Sequence, residues 1–321
     1  MHRILTYNLL AQELITPERF PKIKMYHKDF TYRANKTKEL LKTWMKANFI
    51  ICLQELSTQW KNEIMQVIAD NDYIIIGCEY SHPLGVCICF PNKHYKLLHT
   101  DIFHCGSYIK KIHDKISPDD VRIYEELKHA SNSNNKLLSI LLNCKNENTQ
   151  KNILISTYHM PCMFMKKYYI SSHIHAIKQH LDNLLFELDI LYAFDGITQT
   201  IIFSGDLNIT PCSPEYNLLL NREAKELKIL AECYTNIGQN LYSGLQFTSA
   251  YKTKHNREPL YTNVSVQTNK QFIECIDYIL TNNIKIHSCL VGLISDDPVK
   301  RPYPNALCPS DHLPLSASLI I

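Results

Sequence analysis

Paired cysteines and long apolar runs are both missing from this sequence of 321 residues. It has 12 cysteines but no C-x-x-C pair, and the nearest two, Cys87 and Cys89, alternate with apolar residues. Zinc sites need clustered ligands at short spacings, and disulfide frameworks are typical of short secreted chains. We therefore expect reduced, buried cysteines. No apolar run approaches the roughly 18 residues that a transmembrane helix needs, so we expect no membrane span.

A strong excess of charge is also lacking. Lys plus Arg is 34 and Asp plus Glu is 31, so the formal net charge is +3. This value is too small to indicate nucleic-acid binding by overall charge, so any such partner must be recognised at a local site. The chain opens with a strand-like segment rather than a secretory signal, which predicts a cytoplasmic protein, with the nucleus as the second candidate compartment.

Glycine is scarce, at 8 residues, and no Gly/Ser-rich or Pro-rich linker and no internal repeat divides the chain. Hydrophobic residues make up 45%, which is enough for a sizeable core. The residues that could take part in catalysis or bind a metal are spread from Asn8 to His312. We therefore predict a single domain over residues 1–321 whose two halves build one site, and we expect a monomer.

Apolar periodicity alternates between strand and helix patterns along the chain. Strands are predicted at 4–10, 49–53, 73–78, 86–90, 137–143, 153–158, 200–203, 272–280 and 315–321. Helices are predicted at 36–47, 59–69, 170–192 and 215–220. Residues 81–85 are predicted to form a turn, and 251–269 a polar loop. Residues 101–136 are predicted to form an irregular excursion with a short helix near 121–128.

Small polar or charged residues stand at the ends of these predicted strands. They are Asn8, Glu55, His159, Asp206, Asn208, Asp277, Asp311 and His312. A single residue of this kind would most simply mark a turn. As a set they combine carboxylates, amides and imidazoles with no cysteine, a combination that suits Mg²⁺ or Mn²⁺ and disfavours structural zinc. Carboxylate-bound Mg²⁺ is the usual apparatus of phosphoester chemistry.

The order of the surrounding motifs resembles a known family. The motifs are Thr6-Tyr7-Asn8-Leu9-Leu10-Ala11-Gln12, Cys52-Leu53-Gln54-Glu55, Tyr158-His159, Ser204-Gly205-Asp206-Leu207-Asn208, Ile276-Asp277-Tyr278 and Ser310-Asp311-His312. Together they resemble the endonuclease/exonuclease/phosphatase superfamily over almost the whole chain. The opening motif, the run from Gly205 to Tyr216 and the ending from Tyr303 to Leu315 resemble the clade of cytoplasmic deadenylases, nocturnin, Angel and 2′-phosphodiesterase.

This resemblance implies a fold and a set of roles. The fold is a four-layer α/β sandwich, with two mixed sheets packed face to face, helices outside and the site at one edge. The implied metal ligands are Asn8, Glu55, Asp206 and Asp311. The implied catalytic residues are His159, Asp206, Asn208, Asp277, Asp311 and His312. In these roles, Asp206 orients or deprotonates the attacking water, Asn208 holds the phosphate, and the two histidines contact the scissile phosphate.

The implied substrate wall differs from that of the family. Phe272 occupies the place of an aromatic residue that stacks on a base in deadenylases, although a buried strand residue would give the same pattern. The family has N-T-H-L at the first histidine, whereas this chain has Thr157-Tyr158-His159-Met160, and Phe164 replaces a deadenylase proline. Phe164 and Lys166 belong to a segment, 161–169, that either lines a nucleic-acid groove or forms a surface loop. The change puts a preference for poly(A) in question.

Three functions are consistent with these residues. The first is a Mg²⁺-dependent 3′→5′ exoribonuclease on single-stranded RNA, deadenylase-like and without a leucine-rich docking region. The second keeps the chemistry but acts on 2′,5′-linked oligoadenylate or on a small 2′-phosphorylated nucleotide. The third is an RNA-binding module that has lost catalysis, which Glu55, Asp206 and His312 disfavour because they are intact. A DNA-repair endonuclease or a lipid phosphatase fits less well.

Overall fold

A computed structural model describes residues 1–79, 85–117, 119–145, 151–192, 200–267, 270–282 and 284–321. Most of the predicted turn, residues 81–84, lies outside these ranges. Within them the chain forms two six-stranded sheets and a separate two-stranded ribbon. In both sheets one pair of neighbouring strands is parallel and the others are antiparallel, so both are mixed.

The first sheet combines strands from both ends of the chain. Its members are β1 (His2–Asn8), β2 (Ile50–Leu56), β3 (Tyr73–Cys78), β4 (Gly85–Pro91), β13 (Lys285–Val291) and β14 (Leu315–Ile320). They lie in the order β13-β14-β1-β2-β4-β3, with β1 parallel to β2. The amino-terminal strand therefore pairs directly with the last strand, and the two halves of the chain form one sheet.

The second sheet comes from the middle of the chain. Its members are β5 (Tyr95–His104), β6 (Lys136–Cys144), β7 (Asn152–His159), β8 (Thr200–Asp206), β9 (Thr248–Ser249) and β12 (Asp277–Thr281), in the order β5-β6-β7-β8-β12-β9. Strands β7 and β8 are parallel. The ribbon consists of β10 (Asn263–Val266) and β11 (Gln271–Glu274).

Side-chain alternation along the strands explains the layers. In β2, Ile50 and Cys52 pack into the core between the sheets, whereas Ile51 and Leu53 pack against the helices outside the first sheet. Both faces are buried, so the strand is apolar throughout rather than alternating with polar residues. This is why 49–53 appears in the sequence as a continuous apolar run.

Nine α-helices are described; most pack on the outer face of a sheet, whereas the one that contains Ala250 and Tyr251 packs into the core between the sheets. They are α1 (Met25–Lys28), α2 (Phe30–Lys46), α3 (Thr58–Asp70), α4 (Cys105–His113), α5 (Val121–Ser131), α6 (Lys167–Tyr192), α7 (Pro214–Leu219), α8 (Lys228–Asn236) and α9 (Ala250–His255). The cluster containing Leu41 and Trp60 joins α2 and α3 to the first sheet, and the cluster containing Ile123 and Ile174 joins α5 and α6 to the second. The predicted four-layer α/β sandwich is confirmed.

Three local predictions are wrong. Residues 101–136 are not irregular: they complete β5 and form α4 and a longer α5, whose first turn is capped by the Asp120 carboxylate. Residues 251–269 include α9 and β10 rather than one loop. Residues 272–280 form two strands, since β11 belongs to the ribbon and β12 to the second sheet.

Among the residues described, none of the helices combines the length and the apolar character needed to cross a membrane.

Candidate active site

The polar residues at the strand ends meet at one edge of the sandwich. Asn8 ends β1 and Glu55 lies near the end of β2, both in the first sheet. His159 ends β7, Asp206 ends β8 and Asp277 begins β12 in the second sheet, where Asp206 pairs with both neighbours in the strand register. Asp311 and His312 lie just before β14. Because parallel strands end at a common edge and β12 runs in the opposite direction, these side chains converge.

The carboxylate of Asp206 is the centre of this group. Its Oδ2 atom accepts a hydrogen bond from Asn8 Nδ2 at 3.0 Å and lies 3.5 Å from the Nε2 atoms of both His159 and His312. Its Oδ1 atom accepts from the backbone N–H of Asn208 at 3.1 Å. Burial raises the pKa of Asp206 to about 6 against the opposing effect of His312. The group is thus charged at neutral pH and basic enough to accept a proton.

The Asn8 amide joins the two sheets at the site. Its Nδ2 atom donates to Glu55 Oε1 and to Asp206 Oδ2, both at 3.0 Å, and its Oδ1 atom accepts from the Leu10 N–H. One position along the neighbouring strand, Gln54 Nε2 donates to Thr6 Oγ1 at 3.0 Å and, across the sandwich, to Thr157 Oγ1 at 3.1 Å. Buried amides therefore fix the spacing between the sheets where the site is formed.

Glu55 is directed into the site by an irregularity in β2. Its φ is 56°, in the left-handed region, and the register with β4 shifts between Gln54 and Leu56. A bulge of this kind redirects one side chain at a sheet edge, and a positive φ in a non-glycine residue is typical of functional sites. The Glu55 Oε2 atom accepts from the Ala11 N–H at 2.7 Å, which holds the carboxylate in place.

His312 is part of a buried polar chain. Its Nδ1 atom donates to Asp277 Oδ2 at 2.9 Å, and the same oxygen accepts from Thr262 Oγ1 at 2.7 Å. Burial alone would lower the pKa of His312, but the carboxylates of Asp277 and Asp206 outweigh it and raise the pKa to about 10. His312 is thus an imidazolium at neutral pH, with Nε2 facing Asp206 and the cavity.

Asp311 is fully buried beside His312. Its Oδ2 atom accepts from Arg19 Nη2 at 3.2 Å, and its Oδ1 atom lies 4.0 Å from His312 Nε2. In the described part of the chain, Asp311 Oδ1 and Asp277 Oδ1 have no hydrogen-bond partner. Two buried carboxylate oxygens are therefore left for a donor or a cation to satisfy.

Arg33 links the first motif to the last and was not predicted from the sequence. It is fully buried on α2, where it donates to the carbonyls of Leu9 and Leu10 at 2.6 and 2.5 Å and to that of Pro309 at 2.7 Å. Burial lowers the pKa of Arg33 to about 10, so it stays charged. The segment before Asp311 is thereby tied to the loop after Asn8. The predicted helix, 36–47, starts too late to include Arg33. The signal that could have found it is Asp29, whose side chain caps the first turn of α2.

Gly205 is required by the close approach of β7 and β8. Its φ is 151°, and a Cβ atom there would lie 2.0 Å from the backbone oxygen of Tyr158. Only glycine lets the two strands carry His159 and Asp206 side by side.

A cavity of about 550 Å³ opens over these groups, a volume typical of small-ligand sites. The side chains of Glu55, His159, Asp206, Asn208 and His312 line it, whereas Asn8, Asp277 and Asp311 lie behind its wall. Asn208 donates from Nδ2 to the Met160 carbonyl at 2.8 Å, which ties the next loop to the end of β8.

Two aromatic rings form the far wall of the cavity. Phe164 and Phe272 both line it, with ring centroids 5.1 Å apart. Phe272 lies on the ribbon strand β11 and is absent from the buried hydrophobic clusters of the described residues, which favours base stacking over a core role. Lys166, which was predicted to bind substrate, does not line the cavity, and its Nζ atom contacts His129 Nδ1 at 2.8 Å. Arg19 and Lys270 also line the cavity and add positive charge to it, and neither was predicted.

The donor set fits a divalent cation. Glu55, Asp206 and Asp311 supply carboxylate oxygens, and Asp311 Oδ1 is buried without a partner among the described residues. Among the described residues, the ligand atoms found within 4.8 Å of one another are those of Asp206, Asp277 and His312. Hard oxygen donors with no thiolate favour Mg²⁺ or Mn²⁺. Asn8 uses its NH₂ group to hold two of the carboxylates, so the arrangement supports a positioning role for it rather than the predicted ligand role.

Comparisons with known proteins agree with the motifs. A sequence profile described as "Endonuclease/Exonuclease/phosphatase family" matches residues 5–312. The 3′-5′-exoribonuclease subunit Ccr4 of the CCR4-Not complex from Saccharomyces cerevisiae is 24% identical over 98% of this chain, which spans 38% of the length of that curated relative.

Two solved structures are similar over 99% of the chain. ANGEL2, a 2′,3′-cyclic phosphatase in complex with adenosine-2′,3′-vanadate, has 19% identity and a TM-score of 0.73, with 95% of its chain covered. The human Nocturnin catalytic domain with bound sulfate has 18% identity and a TM-score of 0.58, with 94% covered. At these identities, the similarity establishes the fold.

Proposed function

Since the chain belongs to the endonuclease/exonuclease/phosphatase family, whose members are hydrolases of phosphodiester bonds, we propose that it is a metal-dependent 3′→5′ exoribonuclease acting on single-stranded RNA. The observation that carries this proposal is the Asp206 carboxylate, which is flanked by two imidazoles and opens onto a nucleotide-sized cavity. The named activity of the yeast relative agrees with it.

The residues divide into three tasks. Asp206, whose pKa is raised by burial to about 6, orients the attacking water and accepts its proton. The His312 imidazolium donates from Nε2 to the phosphate, and Asp277 fixes the ring by accepting from Nδ1. His159 faces the phosphate from the other side of Asp206.

A divalent ion, Mg²⁺ or Mn²⁺, would be held by the carboxylates of Glu55, Asp206 and Asp311 and would neutralise charge that develops on the phosphate. The Phe272 ring would stack on the terminal base, a contact that suits single-stranded RNA and tolerates any base. Phe164 lies against Phe272 rather than across an open slot, so we propose weak discrimination for adenine.

The test is hydrolysis of a 15-nucleotide RNA labelled at its 5′ end, with Mg²⁺ or Mn²⁺ and with EDTA. We expect stepwise shortening from the 3′ end, release of 5′-nucleotides, and loss of activity in EDTA and in the variants Asp206→Ala and His312→Ala. Asp101→Asn is the matched control, because Asp101 contacts His180 at 2.7 Å outside the cavity. If the RNA stays intact with both metals, the proposal is wrong.

A second substrate class is favoured by the size of the cavity and by the Phe164 change. A cavity of about 550 Å³ can hold a small nucleotide. Both ANGEL2 and Nocturnin share the fold. Parallel turnover of poly(A), 2′,5′-oligoadenylate, NADP and a 2′,3′-cyclic nucleotide decides between the classes. A kcat/KM for one of the last three that exceeds the value for RNA would replace the exoribonuclease assignment and keep the chemistry.

A further inference from the structure

A loop that lines the active-site cavity also lines a second cavity. Residues 15–24, here called the basic loop, connect the turn at Gln12–Leu14 to α1. Arg19 lines the first cavity, whereas Lys22 and Lys24 line the second, whose volume is about 510 Å³. Three residues of extended chain span at most about 11 Å, so the Cα atoms of Arg19 and Lys22 lie within that distance. The basic loop therefore contributes cations to both cavities over a short stretch of chain.

The basic loop has a defined conformation. Phe20 and Ile23 are buried and pack with Leu10 in a small hydrophobic cluster. The Phe20 N–H donates to the Thr16 carbonyl at 3.0 Å. The buried Phe20 and Ile23 lie between or beside Arg19, Lys22 and Lys24 in the sequence, so the backbone that carries these cations is anchored to the protein.

The second cavity is cationic and partly aromatic. Lys22, Lys24, Lys300 and Arg301 line it, against the single carboxylate of Asp296. Lys300 Nζ is already paired with Asp297 Oδ2 at 3.2 Å, whereas Lys22 and Lys24 form no ion pair within the described ranges.

Tyr26 supplies the aromatic surface of the second cavity. Its side chain is 51% exposed, and Lys24 Nζ lies 5.9 Å from the ring centroid. A groove that binds single-stranded nucleic acid combines cations along the phosphate backbone with exposed aromatic rings on which bases stack.

We propose that the basic loop and the second cavity bind the 5′ part of a single-stranded RNA whose 3′ end occupies the active site. This proposal rests on the proposed function and extends it from one nucleotide to a longer strand. Arg19 and Lys22 would contact consecutive parts of the backbone, and Tyr26 would stack on a base. RNA is favoured over an acidic protein segment because Arg19, three residues before Lys22 in the same loop, lines the cavity that also contains His159 and His312.

Binding of phosphorothioate RNA, which resists hydrolysis, tests the proposal with Mg²⁺ present. The probes are a fluorescent 15-nucleotide strand and a trimer, measured by anisotropy. For Lys22→Glu/Lys24→Glu we expect at least a tenfold loss of affinity for the 15-mer and an unchanged affinity for the trimer. The slope of log affinity against log salt should fall by about 1.4, or about 0.7 for each lost phosphate contact.

The matched control is Lys96→Glu/Lys285→Glu, which changes the charge equally. Both lysines are exposed and lie at the opposite ends of their sheets from the site. Tyr26→Ala should weaken 15-mer binding about tenfold, whereas Tyr26→Phe, which keeps the ring, should not.

The proposal is overturned if the unmodified protein binds trimer and 15-mer equally. It is also overturned if the control variant loses as much affinity as Lys22→Glu/Lys24→Glu. Turnover of the trimer, measured separately, tests the exoribonuclease assignment, so its failure is distinct from a failure of length-dependent binding.

Discussion

Replacing Asp277 by Asn isolates the charge that acts on His312. Both contacts of the Asp277 carboxylate, from His312 Nδ1 and Thr262 Oγ1, fall on the same oxygen, Oδ2. An asparagine can keep an oxygen at that position and place its NH₂ group where Oδ1 has no partner among the described residues. The variant therefore keeps the shape of the contact and removes the negative charge.

The expected size of the effect follows from the pKa of His312. Burial would lower the pKa, and Asp277 is the strongest of the groups that raise it from 6.5 to about 10. This increase corresponds to about 5 kcal/mol in favour of the imidazolium. In Asp277→Asn the pKa should fall towards 6.5, so His312 is no longer fully protonated at neutral pH. We expect kcat/KM to fall about 10²–10⁴-fold at pH 8.

Two measurements check this prediction. NMR titration of the His312 imidazole in EDTA gives the pKa without metal, and the pH dependence of RNA hydrolysis gives its effect on rate. Because the pKa is raised in the native protein, the imidazolium persists as the pH rises towards 10. The native enzyme should therefore lose no activity from this group between pH 6.5 and 9, whereas the variant should lose activity across that range.

Asp101→Asn is again the matched control, since it removes a carboxylate that contacts His180 outside the site. Its pH profile should match that of the native enzyme. If Asp277→Asn leaves the pKa of His312 near 10, or lowers the rate equally at every pH, the charge of Asp277 is not what sets the protonation of His312, and the reasoning is refuted.

Three further predictions concern the wall, the strands and the core. Phe272→Ala should raise KM for RNA about tenfold through lost stacking, whereas Phe272→Tyr should keep it; equal KM values would refute the stacking role. Gly205→Ala should lower the free energy of unfolding, measured by urea titration, by about 3 kcal/mol or more, because the new Cβ atom would overlap the backbone of Tyr158. Gly238→Ala is the control: its Cβ atom would meet no atom within 4 Å, so only the positive φ should cost stability, about 1–2 kcal/mol. Burial lowers the pKa of His173 to about 3 and of His175 to about 4, so the stability they provide is present above pH 6.5 and is lost as the pH falls. Between pH 7 and pH 5, each histidine should lower the free energy of unfolding by about 2 kcal/mol. A variant with both histidines replaced by Gln should not show this decrease.

The strand-end residues could be predicted because β-sheets impose a simple rule. Where a buried strand ends, the next polar side chain lies at the sheet edge, and edges of packed sheets meet. Asp206, just past the predicted strand 200–203, follows this rule, whereas Asn8 and Asp277 lie inside predicted strands and stand at strand ends only in the structure. The motif order then predicts which fold brings the edges together.

Other features depend on packing that no local pattern records. Arg19 reaches Asp311 across 292 positions of sequence, and the neighbouring Phe20 is anchored in a small hydrophobic cluster with Leu10 and Ile23. Phe164 and Phe272 meet because a loop and a ribbon cross, not because of any shared periodicity. The left-handed backbone of Glu55 is stabilised by tertiary hydrogen bonds, so an ordinary strand residue was the natural prediction.

Tertiary packing also explains why the prediction for residues 101–136 was wrong. This segment is polar overall, yet Ile109 and Ile112 of α4 and Leu127 of α5 are buried. A few apolar contacts to the outer face of the second sheet are enough to form two helices there. Sequence periodicity is weak where a helix buries only a narrow stripe, so the segment resembled a loop.

The amide of Asn8 has a consequence for how the protein acquires activity. It holds Glu55 of one sheet and Asp206 of the other, and the Gln54 amide spans the same gap. Neither sheet alone contains a working set of groups. The recovery of catalytic activity during refolding therefore reports the docking of the two sheets rather than the formation of either sheet alone. A divalent cation held by carboxylates from both sheets would bind the docked state and not the separate sheets, so it would stabilise the docked arrangement.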